Sequence, residues 1–272
     1  MLDGGAIFGV VPKSIWQKTN PADSNNMVKI DARCLLVEEG DRLTLIDAGM
    51  GNKQSEKFFS YYHRWGGETL ESSIRKCGFS TDDVTDIFLT HLHFDHCGGG
   101  VIRIGGGSYK TTFKNAKYWS NKDHWEWATS PNKREAASFL KENFVPVEES
   151  GQLNFLKLNE NNYLTHCDSG FDVLFVDGRT EKQMIPIINF KGQKIAFAAD
   201  LIPTAGHVPL PYIPGYDIRP LTSLKEKESF LNFCNDNNVL LFFEHDAFEE
   251  LGLVHQTERG IRLKSTLKLL DL

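Results

Sequence analysis

The chain has 272 residues, of which 40% are hydrophobic, so it is long enough to bury a sizeable core. Lys and Arg total 30 against 36 for Asp and Glu, and this mild acidity argues against a nucleic-acid-binding surface spread over the molecule. The five cysteines form no C-x-x-C pair, and no apolar run approaches the roughly 18 residues that a bilayer span requires. A reducing, cytoplasmic location without membrane or nucleic-acid partners is therefore expected.

Strand patterns alternate with helical patterns along the whole chain. Runs rich in β-branched and aromatic residues predict strands, and apolar residues at three- and four-residue spacing predict helices. The predicted strands are 30–40 and 41–49, joined as a hairpin by Glu-Gly-Asp, followed by 86–90, 171–176, 184–190, 194–199 and 239–243. The predicted helices are 55–77, broken at Gly66 and Gly67, then 131–142, which starts with Pro131, and a helix from about Thr222. Two strand-rich halves with helices predict an α/β fold whose sheets pack together under helices.

The segment HLHFDH (91–96) contains four metal-ligand candidates within six residues. Neutral imidazoles and a carboxylate suit zinc, iron or manganese. Because alternate side chains of a strand share a face, His91 and His93 are expected to point the same way, while Asp95 and His96 approach from the following turn. The three glycines that come next give the backbone room to turn beside an ion. The segment therefore predicts a metal site.

Further ligands are expected where other apolar strands end. Asp200 closes KIAFAAD and His245 follows VLLFF, so both are metal-ligand candidates; a turn cap and a hydrogen-bonded strand-end histidine are the alternatives. Asp47, in LTLIDAG, is expected to orient a ligand histidine, with a turn-forming Asp as the rival interpretation.

With these residues, the sequence resembles the metallo-β-lactamase superfamily over about residues 30 to 265. The GGAIFGVVPK start and the EHD stretch are most similar to its N-acyl homoserine lactonases and to methyl parathion hydrolase. The resemblance implies a four-layer αββα sandwich in a single domain, 1–272. The positions that match the family pattern, in order, are His91, His93, Asp95, His96, Gly98, Asp200 and His245.

The resemblance also implies two metal ions. His91 and His93 would bind the first ion, Asp95, His96 and His245 the second, and Asp200 would bridge them. A metal lowers the pKa of its bound water from about 15.7 towards 7, which makes hydroxide available at neutral pH. Asp95 is the expected catalytic residue, because it would hold this hydroxide or pass a proton to the leaving group.

The sequence departs from the family at one position. The family pattern has a further histidine for the first metal in a G-H-T stretch, and the match here is 178–180, Gly-Arg-Thr. Arg179 cannot bind a cation, because its guanidinium stays protonated. Three interpretations are open: a single-metal protein, substitution of the ligand by His207 or by His166 and Cys167, or a catalytically impaired member of the fold.

The expected function is hydrolysis of a small ester or lactone by a metal-bound hydroxide, with the first metal site weakened by Arg179. Zinc is the expected metal, as one or two ions, with iron or manganese as alternatives. The substrate is expected to be a small molecule, and the chain a monomer or homodimer. The rival functions are an impaired metal-binding protein and a mononuclear-metal oxidoreductase. Substrate contacts are expected from Arg179, His207, Tyr212 and Tyr216.

Overall fold

The computed structural model describes residues 1–159 and 163–272. The strands are β1 Leu2–Asp3, β2 Met27–Val28, β3 Leu35–Glu39, β4 Arg42–Ile46, β5 Asp86–Phe88, β6 Val101–Arg103, β7 Tyr109–Thr111, β8 Lys117–Asn121, β9 Leu153–Leu156, β10 Thr165–His166, β11 Asp172–Val176, β12 Gln183–Phe190, β13 Gln193–Phe197, β14 Leu240–Phe242, β15 Leu251–Thr257 and β16 Gly260–Leu267. The α-helices are α1 Gly4–Phe8, α2 Lys13–Trp16, α3 Glu56–Ser60, α4 Leu70–Lys76, α5 Phe94–Cys97, α6 Lys122–Thr129, α7 Val145–Glu149 and α8 Pro220–Asn237.

The chain divides into two compact units. Unit 1 consists of residues 1–31 and 171–272, and unit 2 of residues 32–170. Each unit contains a main sheet with helices, and the α/β fold class predicted from the sequence is confirmed.

The main sheet of unit 2 has the strand order β3-β4-β5-β8-β9. The hairpin of β3 and β4 is antiparallel, with Glu39 opposite Arg42, as the sequence predicted. The pairs β4/β5, β5/β8 and β8/β9 are parallel. Their carboxyl ends therefore lie along one edge of the sheet. The sheet packs on a core that includes the buried residues Ile87, Phe113, Tyr118, Trp125 and Phe144.

The main sheet of unit 1 runs in the order β11-β12-β13-β14-β15-β16. Its neighbours are antiparallel except for β13 and β14, which are parallel and joined through α8. All the strands predicted in this part of the sequence are present. The N-terminal segment contributes a smaller apolar cluster to the same unit, formed by Ile7, Phe8, Val11, Trp16 and Val28.

The predicted helix over 131–142 is wrong. Residues 133–138 form turns, followed by a 3₁₀ helix, Lys141–Asn143. The side chain of Asn132 accepts hydrogen bonds from the backbone nitrogens of Arg134 and Glu135, at 2.8 and 3.1 Å. Such local bonds offer the backbone an alternative to the helix. The segment also turns Glu135 into the interior, where it is 2% exposed.

Candidate functional site

In unit 2, two parallel strands deliver the predicted residues to the same sheet edge. Ile46 of β4 lies opposite Phe88 of β5, so Asp47 and the segment 90–96 follow the two strands side by side. Because β5 ends at Phe88 and α5 begins at Phe94, His91 and His93 lie in the loop between the two elements and not on a strand, as had been expected.

The loop brings three imidazoles together. His91, His93 and His96 are all fully buried. The ring of His91 lies 4.6 Å from that of His93 and 3.9 Å from that of His96, measured between centroids. Asp95 completes the motif; its side chain is 23% exposed and its Oδ1 lies 3.9 Å from His96 Nε2. Closely packed neutral imidazoles beside a carboxylate are a donor set that fits a divalent transition metal.

Asp47 orients two of these histidines. Its Oδ2 accepts from His96 Nδ1 at 2.9 Å and from Thr90 Oγ1 at 2.7 Å, and its Oδ1 accepts from Thr90 N at 2.8 Å. Since the Thr90 hydroxyl donates to Asp47, its oxygen accepts from His91 Nδ1, at 3.1 Å. These contacts place a proton on Nδ1 of both histidines and leave the Nε2 lone pairs available to a metal ion. The role of Asp47 in orienting a metal-ligand histidine stays a prediction.

The glycine turn after the motif is required by close backbone packing. A Cβ on Gly98 would collide with the carbonyl of Met50. The Gly98 carbonyl also accepts a hydrogen bond from the buried ammonium of Lys53. Burial lowers the pKa of Lys53 to about 8. Any side chain larger than hydrogen at Gly98 would displace the loop that holds the histidines.

Two residues near the motif were missed by the sequence analysis. His124, from α6, accepts a hydrogen bond from Leu92 N at 2.8 Å, and Glu135 Oε1 lies 3.3 Å from His93 Nε2. Both are buried. His124 lies in an aromatic-rich stretch that is typical of a hydrophobic core, and Glu135 lies where a helix was predicted. No sequence pattern therefore indicated that either residue lies beside the histidine motif.

In unit 1, a second pair of parallel strands delivers Asp200 and His245. Phe197 of β13 lies opposite Phe242 of β14, and the two residues follow these strand ends. His245 Nδ1 donates to the carbonyl of Asp31 at 2.7 Å, so a neutral His245 has no proton on Nε2. Nε2 nevertheless lies 2.9 Å from Asp200 Oδ1. Two acceptors at this distance require a proton or a metal ion between or beside them, so the pair fits a metal site.

Arg179 contacts the same carboxylate. Its Nε donates to Asp200 Oδ2 at 2.7 Å, and its guanidinium lies 4.3 Å from the ring centre of Tyr216. Burial alone would lower the pKa of Arg179, but Asp200, followed by Tyr216 and Asp217, raises it above the ordinary value. Arg179 is therefore a fixed cation on one oxygen of Asp200. In unit 1, Asp200 and His245 fit an ion, whereas Arg179 at the position of the missing first-metal histidine does not.

The alternative ligands are placed differently. His207 is fully buried; its Nε2 donates to the carbonyl of Ile7 at 2.9 Å and its Nδ1 accepts from Thr204 Oγ1 at 2.8 Å. Burial lowers the pKa of His207 to about 3, so it stays neutral. The ring stacks on Phe8, 4.3 Å away, so His207 helps to hold the N-terminal segment. Its contact with a substrate stays a prediction. In unit 2, His166 is exposed and Cys167 is buried.

A buried lysine lies close to the Arg179 network. Lys227 of α8 is fully buried, and its ammonium donates to the carbonyls of Pro209 and Tyr212 at 2.9 and 2.8 Å. Burial lowers the pKa of Lys227 to about 7 and raises that of Asp217, also to about 7. The lysine fixes the Pro-rich loop that leads to Tyr216.

Lys227 is expected to contribute a rise in stability with pH between about 7 and 10.5. The pKa of Lys227 is lower in the folded chain than in the unfolded chain, so the folded chain binds fewer protons in this interval. The contribution of this one group is at most about 1.4 kcal/mol per pH unit. Urea unfolding across this range should show a smaller rise in Lys227→Met than in the unmodified chain, because the contribution of Lys227 is removed while that of Lys53 remains. The rise should be unchanged in Lys225→Met, which changes an exposed lysine of the same helix. An unchanged slope in Lys227→Met would contradict the assignment.

The chain belongs to the metallo-beta-lactamase superfamily, whose family model matches residues 30–245. No curated protein shows a significant sequence match to the chain. In the described ranges, before and after the gap at 160–162, no helix has the length and apolar character needed to cross a membrane.

Solved structures share the fold over nearly the whole chain. A probable metal-dependent hydrolase from Staphylococcus aureus is 25% identical, with a TM-score of 0.86 over 98% of this chain and 92% of its own. AidC, a dizinc quorum-quenching lactonase in complex with its product, is 21% identical, with a TM-score of 0.76 over 97% of this chain and 90% of its own. A variant of AiiA from B. thuringiensis, with N-decanoyl-L-homoserine bound at its active site, is 18% identical, with a TM-score of 0.64 over 91% of this chain and 89% of its own.

Proposed function

We propose that the chain, acting as one domain over residues 1–272, is a metal-dependent hydrolase of small esters or lactones. The buried imidazole cluster of unit 2, oriented by Asp47, is the observation that carries the proposal. Family membership and the hydrolases and lactonases among the similar structures support it. The proposed metal ligands are His91, His93, Asp95, His96, Asp200 and His245.

Each step of the proposed hydrolysis would use a particular side chain of the protein. A bound divalent ion makes a water molecule acidic enough to ionise near neutral pH. Asp95, the partly exposed carboxylate of the motif, would take the proton of the attacking water and pass it to the leaving alkoxide. Arg179 would attract an anionic or developing negative oxygen of the substrate, since its charge is permanent. Tyr216, under the guanidinium, and Tyr212 would line the substrate side of the Pro-rich loop.

We further propose that one ion is bound tightly rather than two. A bridging carboxylate offers one oxygen to each of two ions, and here Oδ2 of Asp200 already accepts from Arg179. Oδ1, which lies 2.9 Å from His245 Nε2, remains for the second site. A guanidinium at this position repels a cation at the first site. Arg179 would thus supply part of the positive charge that a first ion supplies in two-metal sites.

The metal, the partners and the location of the protein are further parts of the proposal. Zinc is the proposed ion, because imidazole and carboxylate donors suit it, with iron or manganese as alternatives. The partner would be a small-molecule substrate, and the chain a monomer or homodimer. A cytoplasmic location is proposed because the five cysteines are odd in number and widely spaced.

A substrate panel tests the function. Metal-stripped protein would be assayed with aryl esters, acyl lactones, phosphotriesters and β-lactams after addition of Zn²⁺, Mn²⁺ or Fe²⁺. We expect metal-dependent turnover of esters or lactones and little turnover of β-lactams. Tight metal binding without turnover of any substrate would instead favour an impaired member of the fold, the alternative suggested by the Arg179–Asp200 ion pair.

A further inference from the structure

Arg179 is a buried side chain whose guanidinium is held on two sides by unit 1. It is 7% exposed. Its Nε donates to Asp200 Oδ2 at 2.7 Å, and its Cζ lies 4.3 Å from the ring centre of Tyr216. A guanidinium carries N–H groups along the edges of a planar fork. These two contacts therefore leave its outer edge, formed by Nη1 and Nη2.

The outer edge of this fork has no protein partner. Within residues 1–159 and 163–272, Nη1 and Nη2 donate to no residue, and they are not among the fully enclosed polar atoms that lack a hydrogen-bond partner. The outer edge therefore reaches solvent, although the rest of the side chain is buried. Burial of a cation is costly unless its N–H groups are used, so an unfilled edge at this position indicates a ligand.

The backbone that carries Arg179 is fixed by α8 and the residue before it. The carboxylate of Glu226 accepts from the backbone nitrogens of Asp177 and Gly178 at 2.7 and 2.9 Å, one on each oxygen. The backbone nitrogen of Arg219 donates to the carbonyl of Gly178 at 2.9 Å. The arginine is thus held in place before a ligand arrives, which reduces the entropy that binding would cost.

The charges around Arg179 favour a ligand with a single negative charge. The negative charges of Asp200 and Asp217 both act on the guanidinium. Lys227, a second buried cation of unit 1, uses its ammonium on two backbone carbonyls of the Pro-rich loop. A phosphate monoester would bring up to about two negative charges to one accessible guanidinium. A carboxylate brings a single charge, and its planar pair of oxygens matches the parallel N–H groups of the outer edge.

We propose that the substrate carries a free carboxylate apart from its scissile bond, and that Arg179 binds this group through Nη1 and Nη2. The substrate class is then esters or lactones that also contain a carboxylic acid group. That this ligand is a substrate rests on the hydrolase function proposed above. The binding of a carboxylate to unit 1 needs neither a metal nor turnover.

Binding is tested by NMR of the arginine side chains in the metal-free, full-length protein, with butyrate as the probe. We expect a saturable shift of the Arg179 Nη resonances with butyrate and none with butyramide, which has the same shape without the charge. Methyl phosphate should bind more weakly than butyrate. No saturable shift with butyrate, an equal shift with butyramide, or tighter binding of methyl phosphate would each overturn the proposal.

Arg179→Lys keeps a cation beside Asp200 but removes the fork. This variant should bind butyrate at least about 10-fold more weakly, because it loses a charged hydrogen bond. The backbone amide resonances of 178–180, which both proteins share, report the affinity. Arg259→Gln changes an exposed arginine of unit 1 and should leave the affinity unchanged. Equal affinity in a folded Arg179→Lys would overturn the proposal; if this variant fails to fold, the butyrate titration of the unmodified protein decides.

Kinetics connects the carboxylate site to the substrate. With metal-loaded protein, Arg179→Lys should raise KM for mono-4-nitrophenyl adipate about 10-fold more than KM for 4-nitrophenyl hexanoate, which has the same chain length and no charge. An equal change in the two KM values would contradict the binding of a substrate carboxylate by Arg179. Absence of turnover with both esters would count against the hydrolase function and leave the butyrate result unaffected. Turnover without butyrate binding would leave the hydrolase function standing and overturn the carboxylate site.

Discussion

Asp95→Asn is expected to lower kcat for an alkyl lactone by about 10²- to 10⁴-fold, the usual contribution of a positioned proton donor. Asp95 is the motif residue with the most solvent access, at 23% exposure, while the histidines beside it are buried. The amide can neither take up the proton of the attacking water nor release one to the leaving alkoxide. Steady-state kinetics at saturating metal, with the bound metal measured in parallel, gives the loss.

Substrates with different leaving groups distinguish the loss of proton transfer in Asp95→Asn from the loss of a metal ligand. A 4-nitrophenolate leaves without protonation, so Asp95→Asn should reduce turnover of a 4-nitrophenyl ester far less than turnover of the lactone. Loss of a metal ligand would instead reduce both reactions by the same factor. An equal loss on the two substrates, accompanied by lost metal, would show that Asp95 acts as a ligand alone.

The parallel strand pairs explain why much of the site could be predicted from the sequence. An apolar strand that ends in a polar residue is visible in LTLIDAG, DIFLT, KIAFAAD and VLLFFEHD. Since β4/β5 and β13/β14 are parallel neighbours, residues at these strand ends share a sheet edge within each unit. The position of Asp47 beside His96 and of Asp200 beside His245 follows from that rule.

Side-chain partners that come from irregular segments could not be predicted. Glu135 lies in a stretch of good helix formers, and its inward orientation depends on bonds from Trp127 and on the turn around Asn132. The contacts of His207 were equally unpredictable. Its position in a Pro-rich loop suggested a pocket wall, but its Nε2 donates to the carbonyl of Ile7, 200 positions away in the sequence. Local propensity carries no information about such long-range contacts.

The ion pair between Arg179 and Asp200 could not be predicted from the sequence either. The unusual residue at position 179 could be recognised. The sequence showed that a residue unable to bind metal stands at a ligand position. It did not show that the guanidinium binds the carboxylate expected to bridge two ions, at 2.7 Å in a nearly dry environment. On the single-metal proposal, Arg179 would compete with the first ion for Asp200, which would affect the number of bound ions more than an absent histidine alone.

Arg179→His is therefore expected to raise the metal content from about one ion per chain to about two. The substitution adds an imidazole donor and releases Asp200 Oδ2 from its ion pair. In the metal-free state, the buried carboxylates of Asp200 and Asp217 lose their cation, so the variant should be destabilised by about 3–5 kcal/mol. Zinc should restore this stability, because an ion that binds the folded chain raises the free energy of unfolding. Elemental analysis after gel filtration and thermal unfolding with and without zinc measure both effects.

Two matched variants separate the causes. Arg179→Lys keeps a cation without adding a donor and should stay near one ion per chain. Arg259→His adds a histidine at an exposed position of unit 1 and should change neither metal content nor stability. Two tightly bound ions in the unmodified protein would contradict the single-metal proposal, because they would mean that Asp200 exchanges the guanidinium for a metal whenever one is present. In that case Arg179 would act as a gate on the first site.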